Sequence, residues 1–275
     1  MQTSVFVALS VNIDKLKYKL IESLYANYSN QVIREHNFYV ICQGYTEAQA
    51  QEVKELAPDI NFIFTDRITG SISHIRKVLL NRYEFFKNYE YIIIIDDDFK
   101  FGAYALAQYD HHIQEMSEHP EVGILACHRR LKSQLRIQTT PIDTVYPQDL
   151  AVISMRNGLI IKSNAITPDE LFNDRVEYHE EFYMALQVYI KGYEVGKAWV
   201  DIYHHSKAGG LGHALQHKYN TLTTNDAPSS KKIAMEEGLF TADEGSILYS
   251  DYDVGRVSDY AHELHDSNKK TLGFM

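Results

Sequence analysis

The chain has 275 residues, 45% of them hydrophobic, an ordinary globular composition that allows one large α/β core. Its 27 basic and 37 acidic side chains leave a net charge of −10, which argues against a nucleic-acid binder that uses its whole surface but not against a local basic site. Only Cys42 and Cys127 occur, both in strand-like apolar stretches, which argues against a disulfide framework and suits a reducing compartment. The amino terminus, Met1-Gln2-Thr3-Ser4, has no basic residue before its short apolar run, and no segment approaches the length of a bilayer crossing. A soluble, cytoplasmic protein without membrane insertion is the expectation.

Strand and helix signals alternate through the first half in the manner of successive βαβ units. Val5 to Val11 reads as a first strand, Asp14 to Tyr28 as an amphipathic helix, and Phe38 to Cys42 as a second strand closed by Gly44. Thr46 caps a helix to about Leu56, which Pro58-Asp59 ends. Ile60 to Thr65 then gives a third strand. Ser71 to Lys87 reads as a longer helix, because Ile72, Ile75, Val78, Leu79 and Tyr83 keep helical spacing.

The fourth strand carries the strongest signal. Tyr91 to Ile95 is uninterrupted apolar sequence that runs into Asp96, Asp97 and Asp98 and then Phe99-Lys100-Phe101-Gly102. Such a run reads as a buried parallel strand, and ligands bind at the carboxyl ends of such strands in open α/β sheets. Three carboxylates there carry a desolvation cost that a divalent cation relieves, and an all-oxygen set favours Mg²⁺ or Mn²⁺ together with substrate phosphates. The competing reading is an acidic turn that caps the next helix.

Beyond it, Ala103 to His119 reads as a helix and Ile124 to Cys127 as a strand. Residues 128–150 read as an irregular connection. It holds Arg129, Arg130, Lys132 and Arg136, either a solvated loop or a local basic site. A strand-like Ala151 to Ile161 is interrupted at Asn157-Gly158, a helix runs from about Glu180 to Lys191 and stops at Gly192, and Val195 to Tyr203 is again strand-like. Glycines 209, 210 and 212, then Asn225, Pro228, Ser229 and Ser230, suggest a mobile loop and tail. No second core is evident, so the expectation is a catalytic domain over residues 1–205 and a C-terminal extension over 206–275 packed on the same domain.

Two further clusters matter. Glu177, His179, Glu180 and Glu181 open the later helix, where acidic residues are also favoured by the helix dipole alone. His204 and His205 follow the last strand and read either as packing residues or as imidazole ligands.

With these residues in place, the chain resembles the GT-A fold glycosyltransferases, particularly the large inverting family with many bacterial sugar transferases, over roughly residues 4–205. Ser73-His74-Ile75-Arg76-Lys77 followed by Glu90 to Asp98 looks like that family's Ala-Arg-Asn helix leading to its Asp-x-Asp strand. Glu180-Glu181 with Gly192-Tyr193-Glu194-Val195 looks like its Glu-Asp motif before a Gly-Tyr turn. The resemblance implies an α/β, Rossmann-like nucleotide-sugar-binding fold with a mostly parallel central sheet flanked by helices. It also implies a nucleotide-sugar donor, a UDP-sugar by default, whose diphosphate is held through Mn²⁺ or Mg²⁺ on Asp98.

By the same resemblance, Asp96 and Asp97 contact the ribose or donor sugar, with Asp96 also near the metal, and Arg76 lies near the nucleotide or its phosphates. Ser10 and Gln43 belong to the donor site. Glu181 is the general base that deprotonates the acceptor hydroxyl, Glu180 its possible substitute, and His204 or His205 a third metal ligand, His204 first. The sequence departs from the family where Gln43-Gly44-Tyr45 replaces an Asp-Gly-Ser turn, where Lys77 replaces Asn, and where Glu181 replaces Asp.

A weaker resemblance, through Gly70-Ser71-Ile72-Ser73-His74-Ile75-Arg76 and the Asp-Asp-Asp-Phe run, links the chain to a smaller GT-A group from phages and from genes associated with base-oxidising enzymes. That group glycosylates hydroxymethylated pyrimidines in DNA. The acceptor implied is therefore DNA, with Arg129, Arg130, Lys132 and Arg136 against its phosphates, or else a glycan. A sugar-nucleotide pyrophosphorylase normally carries a Gly-rich basic loop after the first strand, which Leu9-Ser10-Val11-Asn12-Ile13 is not. A non-catalytic nucleotide-sugar-binding module is the remaining alternative.

Overall fold

The computed structural model describes residues 2–129, 143–144, 158–176, 180–204, 230–242 and 255–274. Strand β1 (Gln2–Ser10) leads into one continuous helix, α1, made of Ile13–Lys15, a π-helical Leu16–Ile21 and Glu22–Asn27. Asn12 starts it by accepting the amide hydrogens of Asp14 and Lys15. After α2 (Asn30–Glu35) and β2 (Phe38–Gln43), Thr46 caps α3 (Glu47–Leu56) as the sequence predicts, and Gln49 completes a reciprocal capping box.

Strand β3 (Asn61–Thr65) is followed by α4 (Ile72–Arg82) and a short α5 (Phe85–Asn88). The expected single helix over Ser71 to Lys87 thus breaks at Tyr83. Glu84 takes a left-handed conformation with φ 53°, and this turn drops Phe85 into the core edge to face with Tyr39. Next come β4 (Tyr89–Asp96), β5 (Phe99–Phe101), α6 (Ala105–Glu118), β6 (Val122–Arg129), β7 (Asp143–Thr144) and β8 (Leu159–Lys162). The remaining elements are α7 (Pro168–Leu171), α8 (Glu180–Ile190), β9 (Glu194–Val200), β10 (Ile202–His204), α9 (Ser230–Glu236), β11 (Phe240–Ala242), β12 (Gly255–Val257) and α10 (Asp259–Leu272).

The described strands form an eight-stranded sheet in the order β3-β2-β1-β4-β8-β6-β9-β7. β1 to β4 are mutually parallel; β8 lies antiparallel between β4 and β6, which therefore run in the same direction. Strand periodicity divides the core between the two faces. Val5, Val7, Ile92, Ile94, Ile124 and Ile161 pack on one side with α4 and α8, whereas Phe6, Ala8, Tyr91, Ile93, Ile95, Leu125 and Ile160 pack on the other with α1 and α6. Cys42 and Cys127 are buried and unbridged.

The C-terminal elements complete the first of these faces. Ala234, Leu239, Phe240, Val257 and Ala261 join its buried cluster, and the His265 ring stacks on Tyr189 of α8 at 4.0 Å. Gly192, with φ 91°, stops α8 as expected, and any side chain there would collide with the backbone of α10 at Asn268 and Lys269. Among the described residues no helix is long and apolar enough to cross a membrane.

Candidate active site

Strand β4 delivers its acidic end to the carboxyl edge of the parallel strands. Residues Tyr91 to Ile95 are buried, the Asp96 side chain is the first of the strand's end to reach solvent, and Asp97 and Asp98 stay buried behind it. Each of the three carboxylates is held by a different element. Asp97 Oδ2 accepts a hydrogen bond from Ser10 Oγ at 2.6 Å, from the end of β1, and Ser10 lies 2.8 Å from the Tyr45 hydroxyl. Asp98 Oδ2 pairs with Lys15 Nζ at 3.1 Å, from the first turn of α1. Asp96 Oδ1 accepts from Arg76 Nη2 at 2.9 Å.

The electrostatics are those of a site short of positive charge. The Asp97 carboxyl is pushed up from 3.8 to about 7, first by burial and then by the charges of Asp96 and Asp98, against the Ser10 hydrogen bond and Lys15. Burial alone would lower the Lys15 ammonium, but Asp98, with help from Asp97 and Asp96, outweighs it and holds Lys15 above its usual value. The Lys15 ammonium thus supplies part of the positive charge that the carboxylates require, and the raised Asp97 reflects the part still lacking. An all-oxygen donor set in this condition fits a hard divalent cation.

Arg76 continues the network. Its Nη1 pairs with Glu180 Oε1 at the start of α8, so one guanidinium ties α4, β4 and α8 together. Asp96 is 48% exposed at its side chain, whereas Glu180 is 6% exposed. Arg76 Nε and Glu180 Oε2 are buried with no hydrogen-bond partner among the described residues. Glu181, on the same turn, is only partly buried.

The short β5 pairs antiparallel with β10, which sets His204 opposite Phe99, the residue after Asp98. The close approach depends on Gly102: its amide donates to the Asp201 carbonyl at 2.7 Å, and a side chain there would collide with the Asp201 carboxylate. At β6, Arg129 is the last residue, and its strand runs in the direction of β4, so it leaves the sheet at the same edge as the aspartates.

The structure therefore brings Asp96, Asp97, Asp98, Arg76, Glu180 and Ser10 together at the end of β4, through the Ser10–Asp97 bond and the Asp96–Arg76–Glu180 ion pairs. Gln43 ends β2 at the same edge, but its buried side chain accepts the Ile68 amide hydrogen at 3.1 Å and so holds the loop after β3. His204 and Arg129 are placed by their backbones; His205, Arg130, Lys132, Arg136 and the glycines 209 to 212 lie outside the described residues. Sequence reasoning missed Lys15 and the Tyr45 hydroxyl. Lys15 stood one turn into the helix after β1, at a strand end where α/β sheets gather ligand groups, and that position was the available signal. A cleft of about 700 Å³ lined by Tyr39, Tyr83, Phe85 and Tyr89 lies at the opposite end of β4, and no acidic side chain lines it.

No protein-family model matches the sequence, and no curated protein is significantly similar to it. Solved structures do match. Staphylococcus aureus TarS 1–349 in complex with UDP-GlcNAc aligns with a TM-score of 0.52 and 16% identity over 78% of this chain and 61% of TarS. GalNAc-T7 with UDP, GalNAc and Mn²⁺ gives 0.54 and 10% over 86% of this chain and 48% of that one. The chain has the GT-A fold. Glucosyl-3-phosphoglycerate synthase of Mycobacterium tuberculosis, with Mg²⁺ and UDP, aligns at 0.51 and 10% over 89% of this GT-A chain and 82% of the synthase. The chain spans between 36% and 61% of the TarS chains it matches.

Proposed function

We propose that the chain transfers a sugar from a nucleotide-sugar donor, a UDP-sugar by default, to an acceptor hydroxyl. The observation that carries this reading is the placement of Asp96, Asp97 and Asp98 at the carboxyl end of β4 within a GT-A fold, with the His204 backbone brought alongside. Structural neighbours solved with UDP-GlcNAc, or with UDP and Mg²⁺ or Mn²⁺, support it. Asp98 and Asp96, with His204 or His205, are the groups that would hold Mn²⁺ or Mg²⁺, and Asp97 and Ser10 lie where the donor would sit. A dication bound there supplies charge stabilisation to the departing diphosphate.

The chain's own residues divide the remaining work. Lys15, paired with Asp98, adds a positive charge beside the diphosphate position. Arg76 fixes Asp96 and α8 in one frame. Glu180 is spent on Arg76, so Glu181, partly exposed on the same turn, is the base that takes the acceptor proton as the hydroxyl oxygen attacks the anomeric carbon. A single displacement of this kind inverts the anomeric centre.

The acceptor in this reading is a 5-hydroxymethyl pyrimidine in duplex DNA. Arg129 emerges at the catalytic edge immediately before Arg130, Lys132 and Arg136, and duplex phosphates require such contacts. A 5-substituent already projects into the major groove, so no base flipping is needed. A glycan acceptor is the second reading, favoured by the net charge of −10.

The test combines donor binding with transfer. A nucleotide-sugar is expected to raise the unfolding temperature only with Mn²⁺ or Mg²⁺ present, and to label hydroxymethylated duplex but not unmodified duplex. Glu181→Gln should keep the donor-dependent shift and lose transfer by about 10²–10⁴-fold. Labelling of oligosaccharide instead of DNA replaces the acceptor, and Glu181→Gln with normal transfer removes the base assignment.

A further inference from the structure

Helix α6 packs on the sheet face opposite α4 and α8, so its side chains lie away from Arg76 and Glu180. His111, His112 and Glu115 come together on it, with one ligand atom of each within 4.8 Å of the others. The His112 side chain is completely buried, and its Nε2 sits 3.3 Å from the backbone carbonyl oxygen of Trp199 in β9. A carbonyl only accepts hydrogen bonds. Nε2 must therefore carry the ring hydrogen, which leaves Nδ1 of the neutral imidazole with a lone pair.

That lone pair faces a second acceptor. His112 Nδ1 lies 3.0 Å from Glu115 Oε2, and His111 Nε2 lies 3.4 Å from the same oxygen. Two acceptors in such contact repel unless a cation sits between them. His111 Nε2 reaches the same oxygen, so a cation there has three ligand atoms to bind, more than a single proton can use.

The spacing suits a metal. Ligands bound tetrahedrally at about 2.0–2.1 Å stand roughly 3.3 Å apart, a value between the two separations of 3.0 and 3.4 Å found here. The bond from Nε2 to a backbone carbonyl is the usual support of a metal-bound imidazole, fixing the tautomer and aiming the other nitrogen inward. Two imidazoles and one carboxylate, with a side open to solvent for water, favour a borderline ion such as Zn²⁺ over the hard cation suited to the aspartates.

We propose that His111 Nε2, His112 Nδ1 and Glu115 Oε2 form a second metal site on α6, selective for Zn²⁺-type ions, that locks the His112 ring in the orientation bonded to Trp199 of β9. It needs neither the donor nor the transfer reaction. The experiment uses the full, untagged, metal-free chain and ZnCl₂ alone. One equivalent of Zn²⁺ binds, and at about a hundredfold excess over the dissociation constant it raises the unfolding temperature by about 5 °C. His111→Ala and Glu115→Gln, both at partly exposed positions, should each weaken Zn²⁺ binding at least about tenfold. Their unfolding temperature without Zn²⁺ should stay within about 2 °C of the parent.

Co²⁺ gives a readout on the unaltered protein, since a four- or five-coordinate site produces a far more intense visible absorption than hexaaquo Co²⁺. No Zn²⁺ uptake, Zn²⁺ binding of equal affinity in both variants, or only the weak octahedral Co²⁺ spectrum would each overturn the proposal.

Discussion

Asp98→Asn is expected to lower sugar transfer by about 10³-fold, roughly 4 kcal/mol of transition-state stabilisation, with little change in stability. The substitution keeps the shape of the side chain and removes the one carboxylate of the three that is bound neither to Ser10 nor to Arg76. Its pair with Lys15, which is a third exposed and can return to water, costs on the order of 1 kcal/mol or less when lost. Removing one negative charge from beside Asp96 and Asp97 works in the opposite direction. Initial rates at saturating donor and Mn²⁺, measured with thermal unfolding of the same preparation, separate the two effects. A variant with full turnover would contradict the role given to Asp98.

Arg76→Leu should have the largest effect on stability, about 3–5 kcal/mol. The Arg76 side chain is 11% exposed and pairs with Glu180, whose other oxygen has no hydrogen-bond partner among the described residues. Without the guanidinium, Glu180 becomes a buried charge with no compensation, while Asp96, half in water, loses little. Adding Glu180→Gln should restore most of the loss, because the double substitution removes both members of the pair. Urea unfolding of the two single variants and the double variant gives the coupling directly. An Arg76→Leu protein within about 0.5 kcal/mol of the parent would show that the link between α4 and α8 is not a structural one.

How much of this was legible in the sequence depended on how local the cause was. The acidic strand was readable because an uninterrupted apolar run that ends in carboxylates has few other uses in an α/β chain. The start of α3 was readable because the Thr46 cap is satisfied within four residues. The break at Tyr83 was not, since it answers to the burial of Phe85 against Tyr39, on a strand more than forty residues earlier. Neither was the antiparallel direction of β8, which is set by its two neighbours in the sheet and not by its own four residues.

At the site, helical spacing placed Glu180 and Glu181 on one turn but could not say which of them faces Arg76. The contact with α4 decides it, and that contact turns Glu180 inward and leaves Glu181 partly exposed. Gln43 was placed correctly at the end of β2, yet its bond to the Ile68 amide could be seen only once β3 lay beside it. Lys15 was hidden for the same reason: nothing within its own helix points to Asp98, 83 residues away.

The most direct test of the central claim is a crystal of the chain grown with Mn²⁺ and UDP, with data collected at the manganese absorption edge. The account predicts one anomalous peak in contact with the Asp98 carboxylate and the UDP diphosphate, with the Lys15–Asp98 pair opened. Manganese and nucleotide bound away from Asp96, Asp97 and Asp98 would contradict it.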